Sequence, residues 1–207
     1  LSVELYDTKN RKIVWSDRWQ ESWDNLTTIK MNLSDGLLKA LDTTSKVEKK
    51  VETTNTEAYE FYLKAKHKYK KKEKTVDIEI ARGLLYKAIE LDNNLIVAKV
   101  LLGVTYSATG DYERAMKIYS STIEQAEELG DKRGMENSLN SIGVVYKKKG
   151  DLDTALDYHE RSLAIAEEIG DKRGMGYNLM GIGGVHSNKG DYGKALDYYE
   201  RSLKIKE

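Results

Sequence analysis

The chain has 207 residues, a third of them charged, and its 34 basic side chains balance 34 acidic ones to a net charge of zero. No global field is available to hold nucleic acid or an anionic membrane, so nucleic acid is not an expected partner. Cysteine is absent, which excludes disulfide staples and thiolate chemistry, and no apolar run approaches the ~18 residues of a membrane span, so no membrane insertion is expected.

Proline is also absent beside sixteen glycines, a balance that suits long helices punctuated by glycine. No signal peptide is visible, and the cytoplasm is the expected compartment. Because the chain opens on Leu1 and Glu207 falls inside a repeat, the expectation is a piece of a longer protein.

Residues 1–20 predict a strand, a turn and a strand. Val3 and Leu5 alternate with polar residues, residues 7–10 supply turn chemistry, and Ile13, Trp15 and Trp19 share one face at period two. Leu26, Ile29, Leu33, Leu37 and Leu41 follow at helical spacing. Residues 1–42 are therefore expected to form a β-hairpin and a helix, the remnant of an upstream α/β domain, and the polar stretch 43–56 is expected to be a linker. Residues 57–207 read as helical throughout.

Gly110-Asp111, Gly130-Asp131, Gly150-Asp151, Gly170-Asp171 and Gly190-Asp191 recur every twenty residues. Glycine accepts the left-handed conformation just past a helix end, and aspartate caps a first turn. Each pair predicts one helix ending and the next beginning. On a larger scale, residues 126–167 match residues 166–207 at 26 of 42 positions, a forty-residue period. A fixed period of this size marks a stacked-repeat solenoid, each repeat being two antiparallel helices.

Within that period the small and large residues recur as Leu139, Ile142, Gly143, Tyr146, Ala155 and Tyr158, then Leu179, Ile182, Gly183, His186, Ala195 and Tyr198. An earlier unit carries Leu102, Gly103, Tyr106, Ala115 and Tyr119, and a degenerate first unit carries Ala81, Leu85 and Ala88. This pattern resembles the tetratricopeptide repeat, in the longer-helix form found in kinesin light chain and in G-protein-regulating adaptors. The resemblance implies a mainly α fold, an α-solenoid superhelix of about four repeats over residues 57–207 with the last one truncated. Residues 3–19 followed by an amphipathic helix resemble the end of the TolB-like domain that precedes such arrays in bacterial proteins. In that family the parent chain often carries a nucleotide cyclase, and the alternative expectation is that this chain is the sensory or oligomerising arm of such an enzyme.

Candidate chemistry is sparse. His67, His159 and His186 fall on different helices without zinc-ligand spacing, and His159 and His186 stand where Tyr199 and Tyr146 stand in neighbouring units, so packing is their expected role. No catalytic triad, metal site or cofactor site is expected. Residues 181–184, Gly-Ile-Gly-Gly, would need a preceding strand to cradle phosphate; the period puts them in mid-helix, where packing is expected. Residues 64–74 hold seven lysines, expected as a solvated helix end rather than a nucleic-acid or lipid patch.

A superhelix of this kind offers a concave wall made of the first helix of each unit. The expected peptide-binding groove comprises Val97, Val100, Val104 and Ser107; Asn137, Asn140, Val144 and Lys147; and Tyr177, Met180, Gly184 and Ser187. The amides suit an extended peptide's backbone and the lysine an acidic group. The competing view is that these are ordinary exposed positions, or that the rest of the parent protein fills the groove. A non-enzymatic protein or peptide ligand is the expected partner. Self-association is a third expectation, through Leu203 and the apolar face around Ile182 and Tyr198.

Overall fold

The structure is a computed structural model that describes residues 2–7, 12–18 and 55–206. Strands β1 (Ser2–Asp7) and β2 (Lys12–Arg18) pair antiparallel, with Ser2 opposite Arg18, Leu5 opposite Trp15 and a register shift between Leu5 and Tyr6. The expected helix around Leu26 to Leu41, and residues 43–54 of the expected linker, lie outside the described residues.

Eight helices follow among the described residues: α1 (Thr56–Lys70), α2 (Thr75–Leu91), α3 (Ile96–Ala108), α4 (Tyr112–Glu128), α5 (Lys132–Lys149), α6 (Leu152–Glu168), α7 (Lys172–Asn188) and α8 (Tyr192–Lys206). They pack as four consecutive pairs, α1 with α2, α3 with α4, α5 with α6 and α7 with α8, each pair also resting on the next. The first helices of successive pairs, α1, α3, α5 and α7, touch one another side by side. Together they make one wall of the array.

The turns are built as the Gly-Asp spacing predicts. All five glycines sit at positive φ, from 66° at Gly170 to 84° at Gly150. Asp111, Asp131 and Asp151 each accept the backbone N–H three residues on, and Asp171 accepts those of Arg173 and Gly174. The aspartate N–H closes the preceding helix, as from Asp131 to the Ala126 carbonyl at 2.7 Å. One dipeptide thus satisfies orphan groups of two helices.

Packing inside the last three pairs sets an aromatic ring against a glycine. A Cβ at Gly103 would run into the Tyr119 ring, one at Gly143 would lie 3.0 Å from His159, and one at Gly183 would lie 2.7 Å from Tyr199. The ring and the missing side chain hold the same places in three successive units. Helix interiors avoid glycine at a cost of ~1 kcal/mol, offset here by burying a large ring worth roughly 1.5–3 kcal/mol. Gly181 and Gly184 belong to the same scheme, facing His159 and the Lys147 ammonium, so the Gly-rich run is a packing surface.

Two side chains lie deeper than the sequence suggests. Ile182 is 1% exposed and cannot form part of a free apolar face, whereas Leu203 is 63% exposed. Ser107 is buried as well, turned in with the core instead of toward the wall. The lysine-rich tract covers the C-terminal half of α1 and the turn after it, where Lys68 pairs with Asp77 at 2.7 Å and Lys72 lies over the Tyr69 ring.

Candidate functional site

The wall formed by the first helices carries the candidate site. Val97, Val100 and Val104 are half-buried on α3, with Val97 and Val104 packed on the core. Asn137, Asn140, Val144 and Lys147 are half-buried on α5, at helical spacing on one face. On α7, Tyr177 is 50% and Met180 46% exposed, while Gly184 and Ser187 are half-buried.

The structure brings the α5 and α7 sets together. Lys147 reaches across to α7, where a Cβ on Gly184 would lie 3.0 Å from its Nζ. No acidic side chain among the described residues pairs with that ammonium. Asn140 Oδ1 lies 2.9 Å from His159 Nδ1, and Asn137 donates its Nδ2 to the Arg133 carbonyl at 2.9 Å. Tyr177 accepts from Arg173 Nη2 at 3.2 Å beneath the guanidinium. The α3 valines contribute apolar surface only.

His159 is fully buried, its ring clamped between Gly143 of its own pair and Gly181 of the next. Burial, with a smaller contribution from the Lys147 charge, pushes its pKa down to about 4. The imidazole is therefore neutral at physiological pH. Sequence reasoning assigned His159 to packing, which holds, but missed its bond to Asn140; the only available signal was a histidine alternating with Tyr119 and Tyr199 beside a glycine.

The Asp-Lys-Arg-Gly run at residues 131–134, repeated at 171–174, divides into roles. Asp131 caps α5, Lys132 pairs with Glu168 at the far end of its own helix pair, and Arg133 pairs with Asp171 at 3.3 Å, tying one unit to the next. Between the same units Glu136 is buried. It accepts from Asn178 Nδ2 at 2.8 Å and from Ser162 Oγ at 3.3 Å, in room left by Gly174, where a Cβ would lie 2.9 Å from its Oε1. Burial raises the Glu136 pKa, with the nearby Asp171 charge adding to it and the Asn178 and Ser162 bonds opposing it. One repeat later the corresponding residue is Gly176, and there an open cavity of about 400 Å³ is lined by Lys172, Arg173, Gly176, Tyr177 and Ile205.

Among the described residues no group of three His, Asp or Glu side chains could hold a metal, and no helix is long and apolar enough to cross a membrane.

Similar proteins agree with this architecture. The tetratricopeptide repeat profile matches residues 94–168 and again residues 134–207, which together exceed half of the chain. No curated protein matches it. Among solved structures, a Rap protein complexed with competence and sporulation factor superposes with a TM-score of 0.66 at 17% identity, over 88% of this chain and 52% of that one. Aspartyl phosphate phosphatase F from Bacillus subtilis gives 0.64 at 18% identity, over 88% and 49%. BtubC from P. vanneervenii gives 0.60 at 19% identity, over 88% and 76%. The likeness at these identities is one of fold, and the chain spans about half the length of the first two. Stacked helix pairs of this kind are protein-interaction modules. The chain belongs to the tetratricopeptide repeat family, with a repeat period of forty residues.

Proposed function

We propose that the wall of α3, α5 and α7 binds an extended, acidic segment of a partner protein, in a non-enzymatic scaffolding or regulatory role. The observation that carries this is the Lys147 ammonium, held across Gly184 with no acidic partner among the described residues and on the same helix face as Asn140. A half-buried lysine without a counter-ion favours a carboxylate from outside. The asparagines supply hydrogen bonds to a peptide backbone, and the α3 valines with Tyr177 and Met180 supply apolar contact. The fold shared with a Rap protein complexed with competence and sporulation factor is in keeping with this function.

Selection from a phage-displayed random dodecapeptide library tests the reading. Enriched peptides should carry Asp or Glu, and their binding should be lost with Asn140→Ala plus Lys147→Glu at unchanged helicity. Absence of enrichment, or binding indifferent to both substitutions, would remove the groove.

A second contact surface is proposed on α8, where Tyr192 is 72%, Leu196 59% and Leu203 63% exposed. Apolar residues so close together favour self-association. Sedimentation showing a dimer that Leu196→Lys plus Leu203→Lys dissociates supports it; a strict monomer rejects it.

A further inference from the structure

The two groove asparagines are tied down through opposite ends of their amides. Asn137 spends an Nδ2 hydrogen on the Arg133 carbonyl one turn back, at 2.9 Å. That leaves its Oδ1, an acceptor, as the end free to meet a ligand. Asn140 is held through the other atom, its Oδ1 lying 2.9 Å from His159 Nδ1.

Which way the second bond runs follows from the imidazole. A neutral histidine has one N–H and one bare nitrogen. His159 Nε2 is buried with no hydrogen-bond partner. A proton on Nε2 would bury an unpaired donor, which proteins almost never tolerate. With the proton on Nδ1, the one donor of the ring is paired with Asn140 Oδ1. Asn140 then turns its Nδ2 group outward, presenting two donors. The ring is packed against both Gly143 and Gly181, where an added Cβ would lie 3.0 Å and 2.6 Å from its nearest atom.

We propose that His159 is a positioning residue that fixes Asn140 as a donor beside Asn137 as an acceptor, so that the pair reads the C=O and N–H of one residue in an extended peptide. Residues three apart on a helix have Cβ atoms about 5–6 Å apart, close enough for both amides to meet a single residue of a strand, whose N–H and C=O point to the same side. The pair so described recognises backbone and is indifferent to side-chain identity; sequence preference comes from Lys147 and the apolar rim. This inference rests on the groove of the preceding section.

The repeat itself supplies the test variant. His159→Tyr installs the residue found at this place in the units on either side, Tyr119 and Tyr199, which pack against the equivalent glycines Gly103 and Gly183. Using a dodecapeptide selected as above, affinity is expected to fall about tenfold, one hydrogen bond, in His159→Tyr at unchanged helicity. Asn140→Ala should fall equally, and the double variant no further. Full affinity in His159→Tyr beside a loss in Asn140→Ala overturns the positioning role and leaves the groove standing. Full affinity in Asn140→Ala and Asn137→Ala overturns the groove too. Independently of any ligand or variant, ¹⁵N NMR of the unmodified protein at pH 7 should show the His159 proton on Nδ1; a proton on Nε2 overturns the assigned polarity.

Discussion

Asn178 on α7 donates its amide to the Glu136 carboxylate on α5 at 2.8 Å, joining two successive units through a charge that is only 2% exposed. Burial raises the folded-state pKa of Glu136 above its unfolded value. A group shifted in this sense contributes stability below its ordinary pKa of about 4.3 and loses it as pH rises through the folded value. Glu136→Gln keeps an acceptor for Asn178 and removes the charge. The variant should gain stability relative to the unmodified protein as pH rises from 4.5 to 7. Urea midpoints at several pH values measure the gap, and a gap that does not change with pH contradicts it.

His159 has the opposite sign. Its folded-state pKa of about 4 lies below the ordinary value of 6.5, so the unfolded chain takes up the proton first. Its contribution is present above pH 6.5 and is lost as pH falls toward 4, by roughly 3 kcal/mol at most. Comparing the acid limb of the stability profile with that of His159→Tyr isolates this loss, which should vanish in the variant.

Two glycine substitutions should move stability in opposite directions. Gly83→Ala meets nothing within 4 Å at an exposed position of α2 and should stabilise by about 0.5–1 kcal/mol. Gly103→Ala drives a methyl into the Tyr119 ring and should destabilise by about 1–3 kcal/mol despite the same helical gain. Thermal melts of the two variants decide both signs.

Arg82 is buried on α2 and clamps the end of α3. It donates to the Thr105 carbonyl at 2.9 Å, to Thr105 Oγ1 at 3.2 Å and to Thr109 Oγ1 at 2.6 Å, with its guanidinium 4.0 Å from the centre of the Tyr106 ring. Arg82→Met should cost about 2–4 kcal/mol by leaving these acceptors unpaired. Arg82→Lys should recover little of it, because an ammonium cannot reproduce the planar fork. Chemical denaturation reads both.

Helix α7 carries Gly181, Gly183 and Gly184 in its interior where α5 carries Ser141, Gly143 and Val144. Amide exchange across residues 177–186 should be faster than across 137–146, since each added glycine costs ~1 kcal/mol of helix propensity. Equal protection would mean that the rings seated on these glycines restore the whole deficit.

The helix boundaries were legible because their causes are local. Gly150 at positive φ and Asp151 on the Thr154 N–H need only neighbouring residues to act. The ring-against-glycine packing was legible for the same reason at one remove, since the forty-residue period repeats both partners. Arg82 and Glu136 were not singled out, because charged residues belong at the surface unless a distant partner takes them in. For Glu136 that partner is Asn178, 42 residues on, in space opened by Gly174. Ile182 and Ser107 were misplaced because the sequence shows which residues share a helix face, not how far the next helix covers it. The amides of the groove were found as residue types. Their polarity was not, since it is set by a histidine on another helix.

The clamp on His159 has one jaw in its own helix pair and the other, Gly181, in the pair that follows. Opening of the α7–α8 pair by local unfolding would release the imidazole and with it the direction of Asn140, although neither jaw touches a ligand. Linkage makes the relation run both ways. A peptide that requires Asn140 as a donor must hold the last helix pair shut by the same factor that closure adds to its own affinity, so hydrogen exchange in α8, which carries none of the groove residues, becomes a gauge of the groove's occupancy.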